Sequence, residues 1–157
     1  MSKAAAPLPA WGDPILSDAE KRSLAALCAR MIPASAEFNV PGADDALIQA
    51  DVAKSLDRDA AAVHRALAHL ERLAGGSFAD LDIEKQEGVC ATLRAEGGPD
   101  LTALGRIILQ CYYRDDRVMI SLGMEPRPPF PKGHTLPQGD WALLDPVRKR
   151  GKIWREV

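Results

Sequence analysis

Through most of the chain, apolar residues recur at three- and four-residue intervals, the spacing that lines one side of a helix. Leu24, Leu27, Cys28, Met31 and Ile32 make the first such stripe. Ser17-Asp18-Ala19-Glu20 opens it with a capping-box pattern, in which the serine oxygen accepts from a first-turn amide and the glutamate reaches back. Pro33 predicts its end, because proline pushes the preceding residue away from helical angles. A second helix is expected from about Ala43, after the Pro41-Gly42 turn. Asp44 and Asp45 then sit in its first turn, and Leu47 and Ala50 continue it through Val52 or Lys54 towards Leu56. The third starts after Asp57 or Asp59, carries Val63, Ala66, Leu67, Leu70, Leu73 and Ala74, and stops at Gly75-Gly76. A short fourth helix follows Asp82, with Ile83, Val89, Cys90 and Leu93 inward and Gly97-Gly98 as its stop. The fifth begins at Pro99-Asp100, and Leu101, Leu104, Ile107, Ile108, Cys111 and Tyr112 give it the strongest apolar face in the chain. It is expected to be the central helix. Asp115 to Leu122 either continues it or forms a separate short helix before Gly123.

No alternating strand pattern or hairpin signal interrupts this series. The expectation is an all-α fold, an irregular bundle of about five helices. Three parts are predicted: a loose lead-in at 1–16 with Trp11 as an anchor, a helical domain at 17–123, and an extended proline-rich C-terminal arm at 124–157.

The arm breaks the pattern. Five of the twelve prolines fall between Pro126 and Pro137. Such a segment cannot build a backbone ladder, since each proline lacks a donor and fixes φ near the polyproline value. Yet it carries Phe130, Trp141, Leu143, Leu144, Val147 and Trp154, more apolar surface than a solvated tail tolerates. Either the protein's own helices or another subunit should cover these side chains. At about 3.3 Å per residue the arm spans up to ~110 Å, a reach that favours a partner. We therefore expect a partner interface in which Phe130, Trp141, Leu143, Leu144, Val147 and Trp154 are anchors and Arg148, Arg150 and Arg155 form a polar rim.

Charge sharpens that contrast. The net charge of −2 divides into −5 for residues 1–123 and +3 for residues 124–157. The basic run Arg148-Lys149-Arg150-Gly151-Lys152, with Trp154 beside it, raises an alternative: an independent helical adaptor that binds nucleic acid or another acidic surface. The acidic body and a pI near 5.9 weigh against nucleic acid.

Candidate chemistry is sparse. His64 and His69 are five residues apart on one helix, about 140° around it, so they cannot share a metal without help from elsewhere. His134, in the arm, fits an interface contact better than a catalytic base. Cys28, Cys90 and Cys111 show no metal or cluster spacing, and each sits in an apolar helical pattern, so buried free thiols are expected. The adjacent acids Asp44-Asp45 and Asp115-Asp116 fit solvated charge and helix-dipole complementation. No nucleotide-binding glycine motif is present. Hence no catalytic, cofactor-binding or metal residue is expected in this chain. No export or membrane signal is recognised, so a soluble, cytoplasmic protein is expected.

Three patches together resemble a known family. Ala29-Arg30-Met31-Ile32-Pro33-Ala34, followed by Pro41-Gly42-Ala43, resembles the R-I-I-P-A … P-G-A signature of the gluconate 2-dehydrogenase small-subunit (subunit 3) family. Cys111-Tyr112-Tyr113, with Asp116-Arg117-Val118 and Leu122-Gly123, resembles its G-Y-Y … L-G segment, with Cys111 in place of the expected glycine. The proline-rich arm follows where family members carry one, so the resemblance covers roughly residues 17–137. It implies a non-catalytic accessory subunit that binds and stabilises a large FAD-dependent flavoprotein of the glucose-methanol-choline type, an alcohol or sugar dehydrogenase or oxidase. The flavin and the catalytic histidine then belong to the large subunit. Several family members carry a twin-arginine signal and this sequence does not, which implies a cytoplasmic heterodimer, or a periplasmic one if the partner brings the export signal.

Overall fold

The computed structural model describes residues 16–128, 130, 133 and 136–154. The chain divides into two compact units, Met1–Pro126 and Arg127–Val157. Helices α1 (Asp18–Met31), α2 (Ala46–Lys54), α3 (Ala60–Ala74), α4 (Ile83–Glu96), α5 (Pro99–Tyr113) and α6 (Asp116–Ser121) build the first unit. Single 3₁₀ turns at Asp57–Asp59 and Phe78–Asp80 precede α3 and α4. The fold is all-α, and no strand occurs among the described residues. None of the described helices is long and apolar enough to cross a membrane.

Local chemistry sets the helix ends. The capping box at α1 forms: Ser17 Oγ accepts from Glu20 N–H at 3.3 Å, and Glu20 Oε2 accepts from Ser17 N–H at 2.9 Å. Ile32, just before Pro33, leaves helical angles (φ −140°, ψ 88°) and ends the helix. The α4–α5 connection is only Gly97-Gly98, both at positive φ (64° and 108°), where a side chain would be strained. Asp115 turns extended and caps α6 through Arg117 N–H, so α6 is a separate helix rather than the end of α5.

Two helix faces differ from expectation. α2 starts at Ala46, three residues later than the turn suggested, because Asp45 is its N-cap and accepts from Leu47 N–H at 3.0 Å. Val52 faces the core as expected, but Ile48, one turn before it, is the second buried side chain, while Leu47 is 68% exposed and Ala50 also lies outside. In α4, Ile83 occupies the first turn and is exposed, while the polar Gln86 is buried with Leu93. Gln86 goes inside because its amide donates to Phe78 O at 3.2 Å. Val89 and Cys90 lie at the edge of the core, half-buried.

α5 shares the centre with α3. α3 packs against α1, α4 and α5, and α5 packs against α2, α3 and α6. Leu67, Leu70, Leu104, Ile107 and Ile108 are buried on these two helices. Leu16, read as part of a loose lead-in, is 1% exposed and belongs to the core. Trp11 lies outside the described residues.

Arginine and histidine pairs tie the perimeter together. Arg65 grips Asp100 at 2.7 and 2.8 Å, Arg106 reaches Asp59 at 2.6 Å, and Arg114 forks onto Asp51 at 2.5 and 2.7 Å. His64 Nδ1 meets Glu20 Oε1 at 2.5 Å, joining α3 to α1, and His69 Nε2 meets Glu96 Oε2 at 2.5 Å, joining α3 to α4. Both histidines are therefore used as inter-helix ties.

Candidate functional site

The second unit is built around a short helical segment that its proline content did not predict. Asp140 Oδ1 accepts from Ala142 N–H at 2.9 Å and opens a 3₁₀ turn, Trp141–Leu144. It runs directly into α7 (Asp145–Lys149), where Pro146 sits in the first turn and needs no donor. Arg148 Nη1 pairs with Asp145 Oδ1 at 3.2 Å, and Gly151 at φ 76° turns the chain out of the helix. Lys152 Nζ then lies 5.8 Å from the centre of the Trp154 ring, within cation–π range.

The predicted anchors of this unit are exposed. Phe130 is 85% exposed, Trp141 62% and Trp154 65%, with Leu143, Leu144 and Val147 also open. Arg148 and Arg150 are exposed on and just after α7. Arg155 and His134 lie outside the described residues. Two further apolar side chains, Leu136 and Ile153, are as open as the named anchors, and their size alone was the signal for them. Three-residue spacing of Trp141, Leu144 and Val147 was the corresponding signal for the helical segment.

In the first unit, the residues that carry the family resemblance meet in space. Ala43 N–H donates to Ile32 O at 2.9 Å, and Ser35 and Val40 pair across the intervening loop. Gly42 is needed there: a Cβ on it would sit 2.3 Å from Asp44 Oδ1 and 3.0 Å from Ala34 N. Tyr112 donates its hydroxyl to Pro41 O at 3.3 Å, so the Tyr-Tyr segment of α5 closes onto the Pro-Gly-Ala turn. Arg117 spans Asp45 and Asp115, the caps of α2 and α6.

The thiols follow the expectation in two positions of three. Cys28 and Cys111 are buried, and burial pushes the Cys28 thiol up to about 12. Cys90 is only half-buried, because α4 borders a cleft. Among the described residues, no group of three His, Cys, Asp or Glu side chains is placed to hold a metal ion.

That cleft is a feature the hydrophobic pattern did not reveal. It measures about 500 Å³ and lies between α1, α4 and α5. Leu27, Leu93, Leu101, Leu104 and Ile108 give it apolar walls, and Arg30, Glu87 and Arg94 supply its charges. Arg30 Nε is buried without a hydrogen-bond partner.

Comparison of the chain with protein-family models, with curated proteins and with solved structures found no match.

Proposed function

We propose that this chain is the non-catalytic small subunit of an oxidoreductase complex, binding and stabilising a large FAD-dependent alcohol or sugar dehydrogenase or oxidase. The observation that carries the reading is the second unit, where Phe130, Trp141, Leu143, Val147, Ile153 and Trp154 are all more than half exposed. Soluble monomers rarely display so many large apolar side chains on so short a segment, whereas interfaces are anchored by them. Arginines beside buried aromatics suit the rim of such an interface. The resemblance to the gluconate 2-dehydrogenase small-subunit family supplies the kind of partner, and it puts the flavin and the reaction on that partner. The pairing of α2 and α6 caps through Arg117 and the closure of Tyr112 onto Pro41 give the motif residues structural work, in keeping with a subunit that holds no chemistry of its own. The complex is a heterodimer or higher assembly. It works in the cytoplasm, or in the periplasm if the large subunit carries the export signal.

Co-expression with a candidate large FAD-dependent subunit tests the reading. The expected result is a yellow heterocomplex that co-elutes on a sizing column and survives high salt, while the large subunit alone is poorly soluble. A large subunit that folds, binds flavin and turns over without this chain would overturn it. So would strong, salt-sensitive binding of DNA or RNA by the isolated chain, the behaviour of a nucleic-acid adaptor.

A further inference from the structure

Nine arginines lie within the described part of the first unit, and seven of them have a side-chain partner. Arg22, Arg58, Arg65, Arg106, Arg114 and Arg117 pair with carboxylates, and Arg72 meets His69. Only Arg30 and Arg94 have none among the described residues, and both line the cleft between α1, α4 and α5. They approach it from different helices: burial raises the pKa of the Cys90 thiol, and both guanidiniums lie near enough to offset part of that rise. Glu87 faces the same thiol with the opposite sign and makes no ion pair with either arginine, so the cleft keeps a net positive charge.

The rest of the cleft is apolar by construction. Leu27, Arg30 and Met31 come from one face of α1, Glu87, Cys90, Ala91 and Arg94 from one face of α4, and Leu101, Leu104, Gly105 and Ile108 from one face of α5. α4 packs on α1 and α3 while α5 packs on α2 and α3, and the cleft opens where these two sets of contacts part. Its volume falls in the range of roughly 300–1,000 Å³ typical of small-molecule sites, which are mostly apolar with a few convergent polar groups. Two other concavities lack this combination. The face of α5 around Leu109 and Tyr113 has its arginines committed to Asp59 and Asp51. The hollow beneath Leu73, Leu81 and Val89 offers only Lys85, already paired with Asp82.

We infer that the cleft between α1, α4 and α5 binds a small amphipathic carboxylate, its apolar chain along the accessible Met31, Cys90, Ala91 and Leu101 and its headgroup between Arg30 and Arg94. A guanidinium carries its charge in a planar fork that matches a carboxylate, and Arg30, half-buried with no acceptor on its Nε, is the group such a ligand would satisfy, with the exposed Arg94 as the second contact. Gly105 lies in the wall of the cleft, and a Cβ there would meet no atom within 4 Å. The inference does not rest on the subunit reading, because the full-length chain can be titrated alone.

Calorimetric titration with decanoate, held below its micelle concentration, tests it. Wild type is expected to bind decanoate with one-to-one stoichiometry, and to bind neither decanol nor acetate measurably, because the first lacks the charge and the second the chain. Arg30→Gln and Arg94→Gln each weaken binding roughly tenfold, the loss of one charge-assisted contact. Gly105→Met fills the cleft from a position with free space and abolishes binding, while circular dichroism shows the fold intact. Bound decanoate also slows alkylation of Cys90, the half-buried thiol in the cleft wall. Failure of wild type to bind decanoate overturns the inference, as does equal binding by the Arg30→Gln and Arg94→Gln variants or by Gly105→Met. If the double arginine variant instead loses a co-expressed large subunit while wild type takes up no decanoate, the cleft seats protein and the inference falls.

Discussion

Arg117 holds the starts of two helices. Its guanidinium reaches Asp45 at 2.8 and 3.1 Å and Asp115 at 2.9 Å from two of its nitrogens, and those carboxylates cap α2 and α6. Hydrogen bonds from Arg117 are the main reason that both carboxyls titrate below the ordinary aspartate value, against an opposing effect of burial. A carboxyl whose pKa is lowered by folding contributes stability that is complete above its unfolded value, near 4, and fades as pH falls through the lowered value. Arg117→Met should therefore cost about 1–2 kcal/mol near neutral pH, an amount kept small by the water that screens a half-exposed pair. In thermal melts the gap between wild type and variant should hold from pH 8 to pH 5 and close below pH 4, using round values set by the aspartate pKa. A gap unchanged at low pH would mean the arginine acts through packing. Arg117→Lys should recover only part of the loss, since an ammonium cannot span both carboxylates as a fork does.

Among the elements, the loop between α3 and α4 shows how a short connection is fixed from both sides. Phe78 is fully buried in its 3₁₀ turn. Glu71 of α3 accepts from Phe78 N–H at 3.0 Å and from the Ser23 hydroxyl of α1, while Gln86 of α4 donates to Phe78 O. Side chains from three helices thus form one hydrogen-bonded chain around the backbone of this turn. Phe78→Ala should cost about 3–5 kcal/mol, the usual range for emptying a buried phenylalanine site. Chemical denaturation should show the loss as a lower midpoint with an unchanged slope, whereas a cost below about 1 kcal/mol would mean the loop is not docked. Phe78 also marks the limit of what periodicity can reveal. A single apolar residue between Ser77 and Ala79 has no repeat to announce it, and Gln86 looks like a surface residue until its backbone acceptor is known. α1, α3 and α5 were legible because their stripes are long and bounded by strong caps. α2 was legible only in part: Val52 and Leu56 are buried as the stripe suggested, but Ile48 takes the inward place given to Leu47 and Ala50. The candidate site divides in the same way. Aromatic and apolar content marked the large side chains that the second unit leaves exposed, but the solitary state of Arg30 and Arg94 depends on where every other charge sits, which no spacing rule contains.

For the molecule as a whole, the division at Pro126 and Arg127 separates a unit with a buried core from one whose large side chains are open. If the second unit serves assembly, its removal should separate binding from folding. Among the described residues, deleting 140–157 takes away only the four-residue turn Trp141–Leu144 and the five-residue helix Asp145–Lys149. Helical circular dichroism should therefore change little, and the melting midpoint of the remaining chain should stay within about 3 °C of full length, less than 1 kcal/mol produces in a domain of this size. Affinity for the large subunit should fall much further. Buried aromatic anchors contribute about 2 kcal/mol or more each on truncation to alanine, so Trp141→Ala alone predicts a drop of roughly thirtyfold in affinity. Phe130→Ala and Trp154→Ala should act in the same direction, whereas Arg148→Gln at the rim should mainly slow association and reduce its salt dependence. Surface plasmon resonance with immobilised large subunit distinguishes these effects as changes in off-rate and on-rate. A truncated chain that binds as tightly as full length, with its melting point lowered, would show that these side chains belong to the folding of this chain rather than to its assembly.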